Sequence, residues 1–388
     1  MIKLAFIINF DKNKWEGGFN VILNLINAIL INKKKSKKIN IFLIVPNKKI
    51  LINYNVSKNV KIIEDEEITK PKHYKKFIDK IFLIFFNRTL FLEKKLRKYG
   101  INIISHSNIC TGKKSISKSI IWVPDFQFFH FPNNFSLKYK ILKKINLLIY
   151  LKYSDQILLS SNTAKNDLKK ICYQAFNRAL VNSFCFPESK KMNRSISRKI
   201  LREYKIPNKF FYLPNQYWVT KNHKVVLKAL KFLKKRNSKI KIISTGFSQD
   251  YRFPNYFKSI SKYINDNKLN NNFIYLGVVP DKIVKCLMHN CLAIINPSKF
   301  EGWNTSVEQG KAIGKKIILS NISTHKEQNP PNAKFFGVNN YLELARILNQ
   351  TWSKGNNDKT IMHKFSSFNN DFKNYGEKFL KIIFNVCE

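Results

Sequence analysis

The chain has 388 residues, 44% of them hydrophobic. It is too long for one compact core and apolar enough to fill two of roughly 150–200 residues each, which excludes global disorder. Seventy Lys and Arg against 24 Asp and Glu give a formal net charge of +46; only nine of the seventy are Arg, and the Lys are spread along a chain rich in Ile, Asn and Phe. Biased composition therefore accounts for much of the charge, with attraction to nucleic acid or an anionic membrane as the competing reading.

The opening MIKLAFII is too short for a signal core and reads as a strand. In WEGGFNVILNLINAIL, Gly17 and Gly18 precede a helix with Val21, Leu25 and Ile29 on one side. Such glycines either let the backbone approach a phosphate or simply make a turn. INIFLIV and VKII read as strands, and the acidic Glu64–Glu67 cluster as a solvated loop. From His73 to Arg97 the pattern predicts one long helical stretch, where basic residues flank IFLIFF and LFL. That is the composition of an interfacial helix, or of one packed on the first sheet. INIIS leads to His106, and SIIWV leads into PDFQFFH with Asp125 and His130. A helix follows from Leu137 to Tyr153, then the strand QILLS, with Ser160 and Ser161 placed to cap the next helix.

At Pro187 to Ser197, PESKKMNRSIS loses periodicity and reads as a linker, which divides the chain into domains at 1–190 and 200–370. The alternation then restarts with FFYLP and HKVVLKALKFLKK, with Gln216 and Lys221 between them. KIKIIS ends at Thr245 and Gly246, and FIYLG leads to Val278 and Val279, both at strand ends. IVKCLMHN, CLAIINP, KKIILS and YLELARILNQ complete the series, and residues 371–388 form a helix expected to pack back on the first domain. Strands alternating with helices predict an α/β fold of two doubly wound, Rossmann-like domains facing a cleft, with ligands at the carboxyl ends of strands. No stretch reaches the ~18–20 apolar residues of a membrane span, so the expectation is a cytoplasmic protein, soluble or peripheral on the inner face of the membrane. Six cysteines without a CxxC pair fit a reducing compartment and indicate no zinc site.

KFEGWNTSVEQGKAIGKKIILS holds the strongest signal. After the strand CLAIINP, a turn from Ser298 to Asn304 precedes a helix starting near Thr305. The N–H groups of Asn304, Thr305 and Ser306 then point at whatever lies above the sheet, a ready site for a diphosphate. Glu301 and Glu308 can accept hydrogen bonds from paired sugar hydroxyls; the alternative is a turn cap and a solvated helix residue.

This segment resembles the signature of glycosyltransferase family 4, retaining enzymes of the GT-B fold, in a subgroup with an EGW(N/S)T-type turn. Typical members have seven residues between the glutamates; here there are six. The resemblance implies that Glu301 contacts the donor sugar and Glu308 the nucleotide ribose. FYLPNQYWVTKNHKVVLKAL is similar to the family's segment carrying an Arg and a Lys for the donor diphosphate: Lys221 matches the lysine, and Gln216 stands where most members have the arginine. Gly17 and Gly18 match the loop facing donor phosphates and acceptor, Thr245 and Gly246 are placed to line the nucleotide pocket, and Val278 and Val279 to pass near the base. Asp125 matches the Asp of a His-Asp pair beside the reacting sugar, with Pro124 at the histidine position; His106 and His130 are further candidates.

The implied function is retaining transfer of a hexosyl group from a nucleotide-diphosphate donor to a hydroxyl of a glycan or lipid-linked acceptor, in bacterial surface polysaccharide or lipopolysaccharide synthesis. Glu301, Asp125 and Lys221 form the catalytic set. No cofactor or metal is expected, since lysine and helix dipoles can stabilise the departing diphosphate. An anionic membrane surface is a further partner, and no specific nucleic acid is expected. The alternatives are a GT-B relative with other chemistry (an epimerase or an inactive homologue) and a polyanion-binding protein.

Overall fold

A computed structural model describes residues 1–9, 16–52, 54–189, 192–236, 239–355 and 365–388. The chain divides into two units, Met1–Phe184 with Asn370–Glu388, and Cys185–Asn369.

The first unit is built on β1 (Ile2–Ile7), β2 (Ile39–Val45), β3 (Val60–Glu64), β4 (Ile103–Ser107), β5 (Lys118–Val123), β6 (Gln156–Leu159) and β7 (Ala179–Val181). They form one parallel sheet in the order β3-β2-β1-β4-β5-β6-β7. A parallel sheet covered on both faces needs continuous apolar runs rather than alternation, and Leu4, Ala5, Phe6 and Ile7 of β1 are all fully buried. β1 pairs with β2 on one side (Ile2 opposite Ile39) and with β4 on the other (Leu4 opposite Ile103). The strand order reverses there, and ligands of doubly wound sheets bind beyond the carboxyl ends at such a point. His106 lies near the end of β4.

The second unit repeats the design with β8 (Phe211–Pro214), β9 (Ile242–Thr245), β10 (Phe273–Tyr275), β11 (Ile294–Asn296), β12 (Ile317–Ser320) and β13 (Ala333–Phe336), ordered β10-β9-β8-β11-β12-β13. Helices His223–Lys234, Tyr256–Asp266 and Tyr341–Lys354 cover one face with Val226, Leu230, Ile260, Leu344 and Leu348. Arg194–Glu203 and Asp281–Asn290 cover the other with Ile200, Ile283 and Leu287. The reversal falls between β8 and β11.

Three regions depart from the sequence reading. The stretch His73 to Arg97 is two helices, His73–Phe86 and Phe91–Tyr99. Asn87 closes the first at φ +56°, and the Asp79 carboxylate accepts the N–H groups of Leu90, Phe91 and Leu92 to start the second. The linker stretch Pro187 to Ser197 includes residues 190 and 191, outside the described set, and helix Arg194–Glu203 begins within it because Ser197 and Ile200 face the core. The acidic cluster is ordered: Asp65 caps the turn Glu66–Thr69, and Glu67 pairs with Lys95 at 2.7 Å and Lys75 at 3.0 Å.

Helix Phe365–Cys387 joins the first unit through Phe372, Tyr375, Phe379, Leu380 and Ile383, a buried stripe at helical spacing. Gly376 sits against helix Glu16–Ile31, and a Cβ there would collide with the Ala28 carbonyl. No helix among the described residues is long and apolar enough to cross a membrane.

Alanine favours a helix over glycine by ~1 kcal/mol, yet overpacking against backbone costs ~1–3 kcal/mol. Gly376→Ala is therefore expected to lower the urea midpoint. An unchanged or raised midpoint would show that the helix does not bear on Ala28.

Candidate functional site

β11 ends at Asn296 beside β8, and the chain turns through residues 297–304 into helix Thr305–Ala312. Asn304 starts that helix by accepting the Val307 N–H at 3.1 Å and the Ser306 hydroxyl at 2.9 Å. Its own amide donates to Glu301 Oε1 at 2.7 Å. Lys221 Nζ reaches the same oxygen at 2.6 Å, and Ser298 Oγ lies 2.5 Å from it. Three groups thus converge on Oε1, and among the described residues none bonds Oε2. The pair is shielded, with the Glu301 side chain 9% and Lys221 17% exposed.

Lys221 closes the turn Val219–Lys221 that follows β8. Asn222 comes next at φ +55°, a backbone region asparagine tolerates. Its amide donates to the carbonyls of Pro297 at 3.2 Å and Val338 at 2.8 Å, and Lys299 N–H donates to Thr220 O at 2.7 Å. The two loops leaving the reversal point are thereby stitched together.

Glu308 is buried, not a solvated helix residue: Oε1 accepts from Gln328 Nε2 at 2.9 Å and Lys311 Nζ at 3.2 Å. Gln328 also donates to the Asn304 carbonyl and accepts the Asn304 N–H at 3.3 Å. That N–H is therefore occupied by Gln328, so it does not point at a ligand as the sequence reading expects. Thr324 holds the Glu301 carbonyl at 2.7 Å, and His325 Nδ1 donates to Ser320 O at 2.9 Å. Burial pushes the His325 pKa down, against the opposing charge of Glu301. Asn296, Ser298, Thr324, Gln328 and His325 were not singled out in the sequence.

Gly246, at the end of β9, has φ +138°, and a Cβ would collide with the Asn215 carbonyl. Glycine is required there for the β8 and β9 loops to touch, which places Gly246 beside half-buried Gln216. Neither takes part in the Lys221–Glu301 hydrogen bonds. A basic cavity of about 650 Å³, lined in part by Lys224, Arg252 and Lys299, contains none of Lys221, Glu301 and Glu308.

In the first unit, Gly17 and Gly18 lie in the first turn of helix Glu16–Ile31, not ahead of it; residues 10–15 lie outside the described set. Asp125 Oδ1 accepts the Gln127 N–H at 2.9 Å and so caps the turn Gln127–His130. His130 turns to Asp167, with Nε2 2.7 Å from Oδ2. His106 is enclosed by the rings of Trp122 (5.2 Å), Phe379 (5.4 Å) and Phe6 (5.8 Å), with Nδ1 2.8 Å from Ser105 Oγ. Its backbone is left-handed, φ +53°, and burial pushes its pKa down to about 3. Trp122 Nε1 donates to Ser160 Oγ at 2.9 Å, while Ser161 caps helix Asn162–Ile171. Among the described residues no three His, Cys, Asp or Glu side chains gather to hold a metal.

Residues 193–366 match the family model described as glycosyl transferases group 1. No curated protein matches. Among solved structures, a glycosyltransferase from Rickettsia africae ESF-5 aligns over 100% of this chain and 99% of its own, at 16% identity and TM-score 0.68. Anabaena Alr3699/HepE, in complex with UDP and glucose, aligns over 99% of each chain at 14% identity and TM-score 0.69. The lipopolysaccharide outer core galactosyltransferase WaaB, in its apo form, aligns over 99% of each chain at 15% identity and TM-score 0.59. The fold is the two-sheet α/β fold of these GT-B glycosyltransferases.

The buried, neutral His106 makes a pH prediction. Its folded pKa lies below the unfolded value of ~6.5, so the stability it contributes is intact above pH ~6.5 and is lost as pH falls toward the folded value of about 3. Each such histidine adds ~1.4 kcal/mol of lost stability per pH unit in that window. His106→Asn, which tolerates the left-handed backbone, should show a shallower pH slope in urea melts between about pH 6.5 and 4.5. An unchanged slope would mean that the imidazole is already charged in the fold.

Proposed function

We propose that the chain is a retaining, family 4-type glycosyltransferase that moves a hexosyl group from a nucleotide-diphosphate donor to a hydroxyl of a glycan or lipid-linked acceptor. The observation that carries this reading is the convergence of Lys221, Ser298 and Asn304 on one oxygen of Glu301, at the start of a helix whose first turn holds the buried Glu308. HepE supports a nucleotide-sugar donor through its UDP and glucose complex, and WaaB supports an acceptor in lipopolysaccharide assembly.

On this reading Glu301 accepts a sugar hydroxyl at Oε2, while its other oxygen is held rigid. Lys221 Nζ spends one of three N–H donors on Glu301 and keeps two for the diphosphate. The N–H groups of Thr305 and Ser306 add the positive end of the helix. As the bond between sugar and phosphate breaks, charge builds on the diphosphate, and these fixed donors stabilise it more than they stabilise the intact donor. Lysine and backbone dipoles supply this without a metal ion. Glu308, oriented by Gln328 and Lys311, accepts from the ribose hydroxyls. Gln216 and Gly246 line the same end of the sheet; from the family resemblance, Gly17 and Gly18 are assigned to the donor phosphates and Asp125 to the catalytic set. Transfer to the face the nucleotide leaves is taken from the family resemblance, as is a bacterial setting; the cytoplasmic assignment rests on the cysteine pattern and the short apolar runs.

A thermal melt against UDP-, GDP- and ADP-sugars tests the donor site. At a ligand concentration of about 100 Kd, binding adds ~2.7 kcal/mol of stability, or roughly 5–10 °C for a unit of this size. One nucleotide class should give that shift, and Glu308→Ala should lose most of it. No shift with any class would exclude the reading. Lys221→Ala should lower kcat by about 10²–10³-fold, the usual cost of one fixed donor to a developing anion. An equal kcat with a raised KM would restrict Lys221 to ground-state binding.

A further inference from the structure

Helices His73–Phe86 and Leu137–Tyr153 lie side by side in the first unit. Lys80 Nζ donates to Asn146 Oδ1 at 2.6 Å and Tyr153 OH to the Ile84 carbonyl at 3.1 Å, over a small core of Leu83, Cys110 and Tyr153. Their outer sides are apolar and uncovered. On the first helix Phe77, Ile81, Ile84 and Phe85 share a face, and Phe77 and Phe85 are 66% and 75% exposed. On the second, Leu137, Ile141, Ile145 and Leu148 form a stripe at the same spacing, with Leu137 69% and Ile145 49% exposed. These two helices carry twelve of the 25 exposed large hydrophobic side chains among the described residues. A monomer surface scatters such side chains; a contiguous patch marks an interaction.

The charge beside the patch selects the partner. Lys72 and Lys76 are exposed next to the first stripe, and Lys138, Lys143 and Lys144 next to the second. The one acid on either helix, Asp79, is turned to the N–H groups of Leu90, Phe91 and Leu92. An apolar stripe rimmed by unopposed lysines fits a bilayer, whose acyl boundary takes the apolar side chains and whose phosphates take the ammonium groups. We infer that this helix pair docks the protein on an anionic lipid bilayer. The surface differs from the one suggested by the sequence: Phe91–Tyr99 is excluded, because Leu92 and Leu96 pack inward, and Leu137–Tyr153 joins it. One cavity of about 960 Å³ runs from Phe77 and Lys80 to Asn9 and Asn108, just beyond β1 and β4. The cavity thus shares Phe77 with the docking face and reaches the strand ends.

Flotation of the full-length chain with vesicles tests this independently of any activity. Vesicles of phosphatidylcholine alone are compared with vesicles holding about 30% phosphatidylglycerol, at about 0.1 M and about 0.5 M NaCl. A net charge of +46 alone would give binding that high salt abolishes. Docking through the helix pair predicts binding to the anionic vesicles that persists at high salt. It also predicts at least a tenfold weaker partition for F85S/I145S, and no change for I116S/Y251S, at exposed hydrophobics elsewhere. Flotation of F85S/I145S equal to wild type, or complete loss of wild-type binding at high salt, would overturn it. So would a change in self-association of F85S/I145S, seen by sedimentation velocity, with flotation unaltered; the face would then bind a second copy.

Discussion

One carboxylate oxygen organises the second unit. Glu301 Oε1 collects an ammonium, an amide and a hydroxyl in a largely buried position, from the loops that follow two neighbouring strands. A buried ion pair is a poor source of stability, because taking both charges out of water costs several kcal/mol per ion before their attraction is counted. Its use here is geometric. The lysine arrives from β8, the glutamate from β11, and β8 and β11 meet where the sheet reverses order. The Asn222 amide and the Lys299 N–H bind the same loops by their backbones, so the charged pair is held from both sides. A carboxylate tied down from both sides in this way keeps a fixed position.

The second glutamate follows the same logic by different means. Glu308 is oriented by Gln328 and Lys311, and Gln328 is itself anchored to the backbone of Asn304. The capping residue Asn304, Glu301 and Glu308 thus form one connected network. Hydrogen-bond networks of this kind fix positions more sharply than isolated pairs do.

Much of this was legible in the sequence, for definite reasons. Strands buried on both faces appear as uninterrupted apolar runs, and β1, β2, β8, β11 and β12 were readable as such. The helix start at Thr305 was readable from its Asn cap and its small polar turn. The three-residue β7, the half-buried β13 and the helix Tyr256–Asp266 were not, because their apolar content is short or diluted by polar residues. The break at Asn87 hid inside a continuous basic and apolar pattern, since a left-handed cap leaves no trace in periodicity. Gln328 is not legible because its partners, Asn304 and Glu308, lie twenty or more positions away and are set by the fold; Ser298 bonds Asn296 and Glu301 close by, but a serine in a polar turn looks like any other until the turn's shape is known. Asp125 accepts the Gln127 N–H and His130 faces Asp167, contacts that residue types alone do not reveal. The high positive charge was ambiguous as composition; it gained meaning only where the fold set lysines beside uncovered apolar stripes.

The most direct test of the account is a crystal structure of the protein with the nucleoside diphosphate that stabilises it. The account predicts ribose hydroxyls within about 3 Å of the Glu308 carboxylate, and a diphosphate on the Thr305 and Ser306 N–H groups with Lys221 turned to it. A nucleotide seated instead in the cavity lined by Lys224, Arg252 and Lys299, with Glu308 unengaged, would contradict it.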